Sequence, residues 1–147
     1  MSETRFYELS QVTIEKALPQ LLYKIYSNMR KPILLLLNDE TQINSFDRLL
    51  WSFSSNKFLP HGTKNNSKEH IKPLFLTNIE DNENAAEILV STKIAKNENF
   101  KASFSSQIFM FSGEKSEDFI SLFRELKNND LKTTYWQQDA NGKWHDI

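Results

Sequence analysis

The apolar positions of the chain change period several times, and each change marks an element. Arg5–Leu9 (RFYEL) mixes aromatic and polar residues and predicts a first strand. From Thr13 the spacing turns helical, with Ile14, Leu18, Leu21, Leu22, Ile25 and Met29 on one face. Thr13 is placed to cap this helix, without a capping box because Lys16 stands at the third position. Pro19 removes one backbone donor and crowds the preceding turn, so the helix either kinks there or becomes regular near Ala17. Lys24, Arg30 and Lys31 toward its end suit the helix dipole. Pro32–Leu37 (PILLLL) is then apolar without interruption, the pattern of a parallel strand buried on both faces. Asp39, with Gln42 three residues on, predicts the capped start of a second helix. Strand, helix, strand, helix in the first third of the chain is the order of a parallel α/β unit with right-handed crossovers.

After a polar, aperiodic loop from His61 to His70, short strands are predicted at Pro73–Thr77, Ala85–Thr92 and Gln107–Phe111, with an acidic turn at Asn78–Asn84. Phe100–Ser106 fits a short helix or an extended link equally well. A last helix spans about Ser116–Asn128, with Phe119, Leu122, Phe123 and Leu126 on its apolar face. Its first turn carries Glu117 and Asp118 and its last carries Arg124 and Lys127, as the dipole prefers. Thr133–Gln137 (TTYWQ) reads as a strand, and Asp139–Gly142 (DANG) as a turn that lets Lys143–Ile147 pair back as a hairpin. Neither an internal repeat nor a domain boundary is visible.

One stretch does not fit its own pattern. In Asp47–Gly62 (DRLLWSFSSNKFLPHG) the second helix runs out into an aromatic loop. Ile43, Phe46, Leu49, Leu50 and Phe53 share a stripe, whereas Trp51 projects roughly 140° from its centre at about 100° per residue. Phe58 and Leu59 then place two large apolar residues in a loop. An off-face Trp beside an apolar loop suits a surface where another protein docks. Cover from elsewhere in the same chain would explain the same residues.

Composition narrows the field. The chain has 147 residues, 39% hydrophobic and 25% charged, which suits a globular domain with a real core. A net charge of −1 argues against a dedicated nucleic-acid binder, which needs a basic footprint. The absence of cysteine excludes disulfides, thiol nucleophiles and thiolate metal sites, and fits a reducing compartment. The longest apolar run, Ile33–Leu37, is far below the roughly 20 residues a membrane span needs, and no secretory segment is read. Glycine stands only at positions 62, 113 and 142, so no glycine-rich phosphate loop can be built.

Candidate catalytic chemistry is sparse. His61, His70 and His145 have no second ligand at a metal-binding spacing, and no metal or cofactor is expected. No serine stands in a nucleophile-elbow context. Asp39, at the end of a buried strand, has a position that α/β enzymes use, but its cap role explains it. His61 reads better as a residue that fixes its loop than as a general base without a partner. The residues favour an interaction module over an enzyme; the competing reading is a nucleotide-binding enzyme on a Rossmann-like fold.

The order FYEL, EKALPQLLYKIY, LLLNDE, LLWSFSSNKFLPHG and TYWQQDANGKW resembles the chi subunit of bacterial DNA polymerase III holoenzyme. The most specific part is Leu50-Trp51 followed, after a polar spacer, by Phe58, Pro60 and His61, backed by Tyr135-Trp136-Gln137. The resemblance implies one three-layer α/β domain over residues 1–147, with a largely parallel (mixed), Rossmann-like central sheet flanked by helices. It implies a cytoplasmic bacterial accessory subunit without polymerase activity of its own, a monomer or a 1:1 heterodimer with its psi partner. Two partners follow: the psi subunit, which tethers chi to the clamp loader, and the acidic carboxy-terminal tail of single-stranded DNA-binding protein. Strong direct DNA binding and membrane attachment are not expected. Trp51, Phe58, Leu59, Pro60 and His61 match the psi-facing motif. Phe123 and Arg124 match an aromatic–basic pair used for the tail, with Lys127 or Lys132 available to assist. The family's further basic residues one turn earlier are replaced here by Phe119, Ile120 and Ser121.

Overall fold

The computed structural model describes residues 3–54, 59–63 and 73–147. Phe58 and His70 lie outside the described residues. Strand β1 is Glu3–Leu9, helix α1 Ile14–Met29, β2 Ile33–Leu36, α2 Glu40–Ser52, β3 Gly62–Thr63 and β4 Leu74–Thr77. Then come β5 Ile88–Ser91, α3 Glu98–Ala102, β6 Ser106–Ser112, α4 Ser116–Asn128, β7 Thr133–Gln138 and β8 Trp144–Asp146. A 3-10 turn, Gly113–Lys115, leads into α4.

Among the described residues, eight strands join one sheet in the order β3-β4-β2-β5-β6-β1-β7-β8. Every pairing is parallel except β7 with β8, so the sheet is mixed and largely parallel. The two-residue side-chain period of a strand sorts the core into two layers. Ile33 and Leu35 of β2, Ile88 and Val90 of β5, and Ile108 and Met110 of β6 pack with Leu18, Leu22 and Ile25 of α1 and Ile43, Phe46 and Leu50 of α2. Their neighbours Leu34, Leu36 and Leu89 turn to the opposite face, beneath Phe100 of α3. Phe6, Phe109, Phe111 and Tyr135 lie on that face too, beneath Phe119 and Phe123 of α4. The three layers expected of the fold are present, with α1 and α2 on one side and α3 and α4 on the other.

Several elements depart from expectation. Helix α1 starts at Ile14 and runs through Pro19, which is buried with Leu18, Leu22 and Ile25. Burial of that face outweighs the missing backbone bond, a loss of roughly 3 kcal/mol in a helix interior. The last turn of α1 holds no basic residue. Arg30 instead caps the helix in the left-handed conformation (φ 54°), its N–H on the Tyr26 carbonyl and its guanidinium 5.7 Å from the Tyr26 ring centre. Phe100–Ser106 divides between the end of α3 and the start of β6. The strand β3, inside what reads as a polar loop, pairs Gly62 and Thr63 with Phe75 and Leu76. Elsewhere the expected cap holds: the Asp39 carboxylate accepts the Gln42 N–H at 2.8 Å. The Gln42 side chain reaches back to the Asn38 N–H at 2.7 Å, one residue earlier than in the usual reciprocal box.

Candidate functional site

The buried stripe of α2 consists of Ile43, Phe46 and Leu50, with Leu49 partly buried beside them and Phe53 meeting Tyr23 at 6.3 Å. Trp51 lies off that stripe and is 59% exposed. The returning chain then divides its three motif residues by depth. Leu59 is fully buried in the core beneath α1 and α2, Pro60 is half-buried, and His61 is only 6% exposed. The His61 ring sits behind Trp51, with ring centres 4.6 Å apart and planes tilted by 49°. Its Nδ1 faces the Leu59 carbonyl oxygen at 2.8 Å; its Nε2 faces the Asp47 carbonyl oxygen at 3.2 Å and carboxylate at 3.1 Å. Of the described motif residues, Trp51 and the edge of Pro60 therefore reach solvent, while Leu59 and His61 hold the loop from within. Asp47 was not singled out by the sequence. The signal was its spacing, since residues four apart share one side of a helix and a group behind Trp51 must also meet Asp47.

The second expected surface is arranged differently from a single aromatic–basic pocket. Phe123 is 9% exposed and lies against Phe6 edge-on at 5.8 Å and against Tyr135 at 5.2 Å. Arg124 is exposed on the outer side of α4. Lys127, one turn on, lays its ammonium 5.8 Å from the Phe123 ring centre. Lys132 lies 4.0 Å from the Glu3 carboxylate. Phe123 is thus a core residue with one accessible edge, and the cation on it is Lys127.

Beneath this surface the buried Glu8 carboxylate accepts the Tyr135 hydroxyl and, at 2.8 Å, the Gln137 amide. Burial, then the Glu8 carboxylate, pushes the Tyr135 phenol far above its ordinary range. This phenol remains a donor at all ordinary pH values and serves to tie β1 to β7. Among the described residues no group of three metal-binding side chains is present, and no helix is long and apolar enough to cross a membrane.

The profile of the DNA polymerase III chi subunit family (HolC) matches residues 1–132. The chain belongs to the DNA polymerase III chi subunit family. It is also 27% identical over 154 residues to the probable DNA polymerase III subunit chi of Rickettsia prowazekii (strain Madrid E), covering 100% of this chain and 93% of that protein. As a chi-family member it is an accessory subunit in DNA replication. The family match includes both α2 with Trp51 and α4 with Arg124.

Proposed function

We propose that this chi-family chain is a non-catalytic adaptor that joins the clamp-loader assembly, through a psi partner, to the carboxy-terminal tail of single-stranded DNA-binding protein. The observation that carries the reading is Trp51, a large indole left 59% exposed on a helix whose core face is already filled, and backed by a buried ring. A rigid aromatic of this kind, set over a packed base, is what anchors a protein interface. The Leu59–His61 segment supports it from beneath, and Pro60 extends the surface. Whether Phe58 adds to it lies outside the described residues.

For the tail, the chemistry is an apolar edge next to fixed cations. A peptide ending in an aromatic residue with a free carboxylate is served by the Phe123 edge with Lys127 upon it, and by Arg124 for the carboxylate or the upstream acids. The deciding experiment is affinity capture with the wild-type chain and with Trp51→Ala, each checked for its melting temperature. The reading expects the clamp-loader partner to be lost from the variant while the melting temperature hardly moves. Retention of the partner by a folded Trp51→Ala chain would end it.

A further inference from the structure

The turn that closes the β7–β8 hairpin joins Asn141 to Gly142, and Asn141 alone among the chain's asparagines precedes a glycine. Such a pair is reactive, because glycine has no side chain to keep its nitrogen away from the preceding side-chain amide. Asn141 is exposed, and among the described residues its side chain makes no hydrogen bond. Its amide carbon is thus open to attack and to water. The attacking atom, by contrast, is held. The Gly142 N–H donates to the Asp139 carbonyl at 3.0 Å. On either side of it, the N–H groups of Asn141 and Lys143 donate to the Asp139 carboxylate at 2.8 and 2.9 Å. The Asp139 N–H in turn donates to the Lys143 carbonyl at 2.8 Å. Three consecutive N–H groups therefore end on one residue, and while they do, the Gly142 nitrogen is not free to turn onto Asn141 Cγ.

We propose that Asn141 is a modification site, converted to aspartate and isoaspartate without an enzyme, and that Asp139 sets the rate by holding the Gly142 nitrogen. In the step itself the Gly142 nitrogen bonds to Asn141 Cγ and the Cγ–Nδ2 bond breaks. Ammonia leaves with the proton given up by Gly142, and a cyclic imide remains. Solvent water then opens that ring at either carbonyl, to aspartate or to isoaspartate. Isoaspartate adds a methylene to the main chain inside the turn, so the paired bonds between Asp139 and Lys143 lose their register. Either product places a carboxylate beside that of Asp139, and like charges at short range repel. Strand β8 pairs with β7 at the edge of the sheet, and its Trp144 meets Tyr7 edge-on at 5.6 Å. Conversion releases both and turns β7 into the edge strand. The proposal is independent of the docking reading of Trp51.

The test compares the whole chain with a synthetic peptide of residues 133–143, aged in the same neutral buffer. Trypsin cuts after Lys132 and Lys143, so mass spectrometry of that fragment reads the exchange of the Asn141 amide for a carboxylate. The folded chain should convert at least about tenfold more slowly than the peptide, the factor that about 1.4 kcal/mol of turn closure gives. Asp139→Ala, with its fold checked by melting temperature, should convert at close to the peptide's rate. In the wild-type chain, hydrogen exchange of the Gly142 N–H should be slowed by the same factor as conversion, because both wait for one bond to open. Conversion of the folded chain as fast as the peptide overturns the proposal, as does an Asp139→Ala chain that converts as slowly as the wild type. If Asp139→Ala does not fold, the exchange comparison decides: a Gly142 N–H that exchanges freely while conversion stays slow overturns it equally.

Discussion

At the scale of single residues, the motif around Trp51 separates into what meets a partner and what holds it up. Trp51 is exposed, so its truncation should cost less than about 1 kcal/mol, the value of a surface change plus one ring contact. Leu59 has no exposed surface, and Leu59→Ala should cost about 2–5 kcal/mol, as for other Leu→Ala changes in packed cores. Thermal melts of the two variants should therefore differ by many degrees, and equal losses would show that Trp51 is core. On α4, Lys127→Ala and Arg124→Ala should each weaken tail-peptide binding by about 1–3 kcal/mol, the range for a bond to a charged group. Calorimetry at low salt reads this, and wild-type affinity in both variants would remove the tail surface. The sequence made Trp51 legible because its angle on the helix follows from position alone. The burial of His61 and its contact with Asp47 were not legible, because both depend on where the loop returns.

At the scale of elements, local chemistry did most of the work where it was strong. The Asp39 cap and the ends of α4 follow from side chains that act within one turn of their own helix. Strand β3 has only Gly62 and Thr63, too few for any period, and exists because β4 offers an edge. The β7–β8 hairpin closes through Gly142, whose φ of +81° suits glycine, and through Asp139. The Asp139 carboxylate accepts the N–H groups of Lys143 and Asn141, and His145 at 2.6 Å. Those contacts, the Lys143 N–H first and His145 next, hold its pKa below the ordinary carboxylate value. A depressed carboxylate stabilises the fold above its unfolded pKa of about 3.9, and that contribution fades as pH falls through the folded value. Amide signals of β8 should thus loosen below about pH 4 before those of the central strands. Asp139→Asn should show the loosened hairpin already at neutral pH; a hairpin indifferent to both changes would refute the role of Asp139.

At the scale of the whole molecule, the two candidate surfaces lie on opposite layers, Trp51 on the α1–α2 side and Lys127 with Arg124 on the α3–α4 side. An adaptor needs this separation, since each partner must bind without displacing the other. Tail-peptide affinity measured with the clamp-loader partner already bound should stay within about twofold of that for the free chain, a change under about 0.4 kcal/mol. Competition would place both partners on one surface and contradict the arrangement. The cleft at the carboxyl ends of the strands, where α/β folds hold ligands, has a volume of about 220 Å³ and is lined by Thr13, Asn38, Gln42, Thr92 and Ser112. A second cleft of about 530 Å³ shares Asn38, Thr92 and Lys115 with it, and neither has a glycine-rich phosphate loop beside it. A panel of nucleotides with magnesium should leave the melting temperature unchanged, because a bound ligand stabilises the folded state.

By itself, the sequence determined the α/β order of elements, the buried central strands, the Asp39 cap of α2 and the Trp that faces away from its core, because each is set by period or by contacts within a turn. Its family motifs also pointed to the chi subunit. Only the tertiary structure decided the sheet order, the short strand β3, and the depth of Leu59 and His61. Those features arise between segments far apart in the chain. The chain's own pattern carries no period for them, and only the return of the loop brings His61 to the side of α2 that Asp47 and Trp51 share.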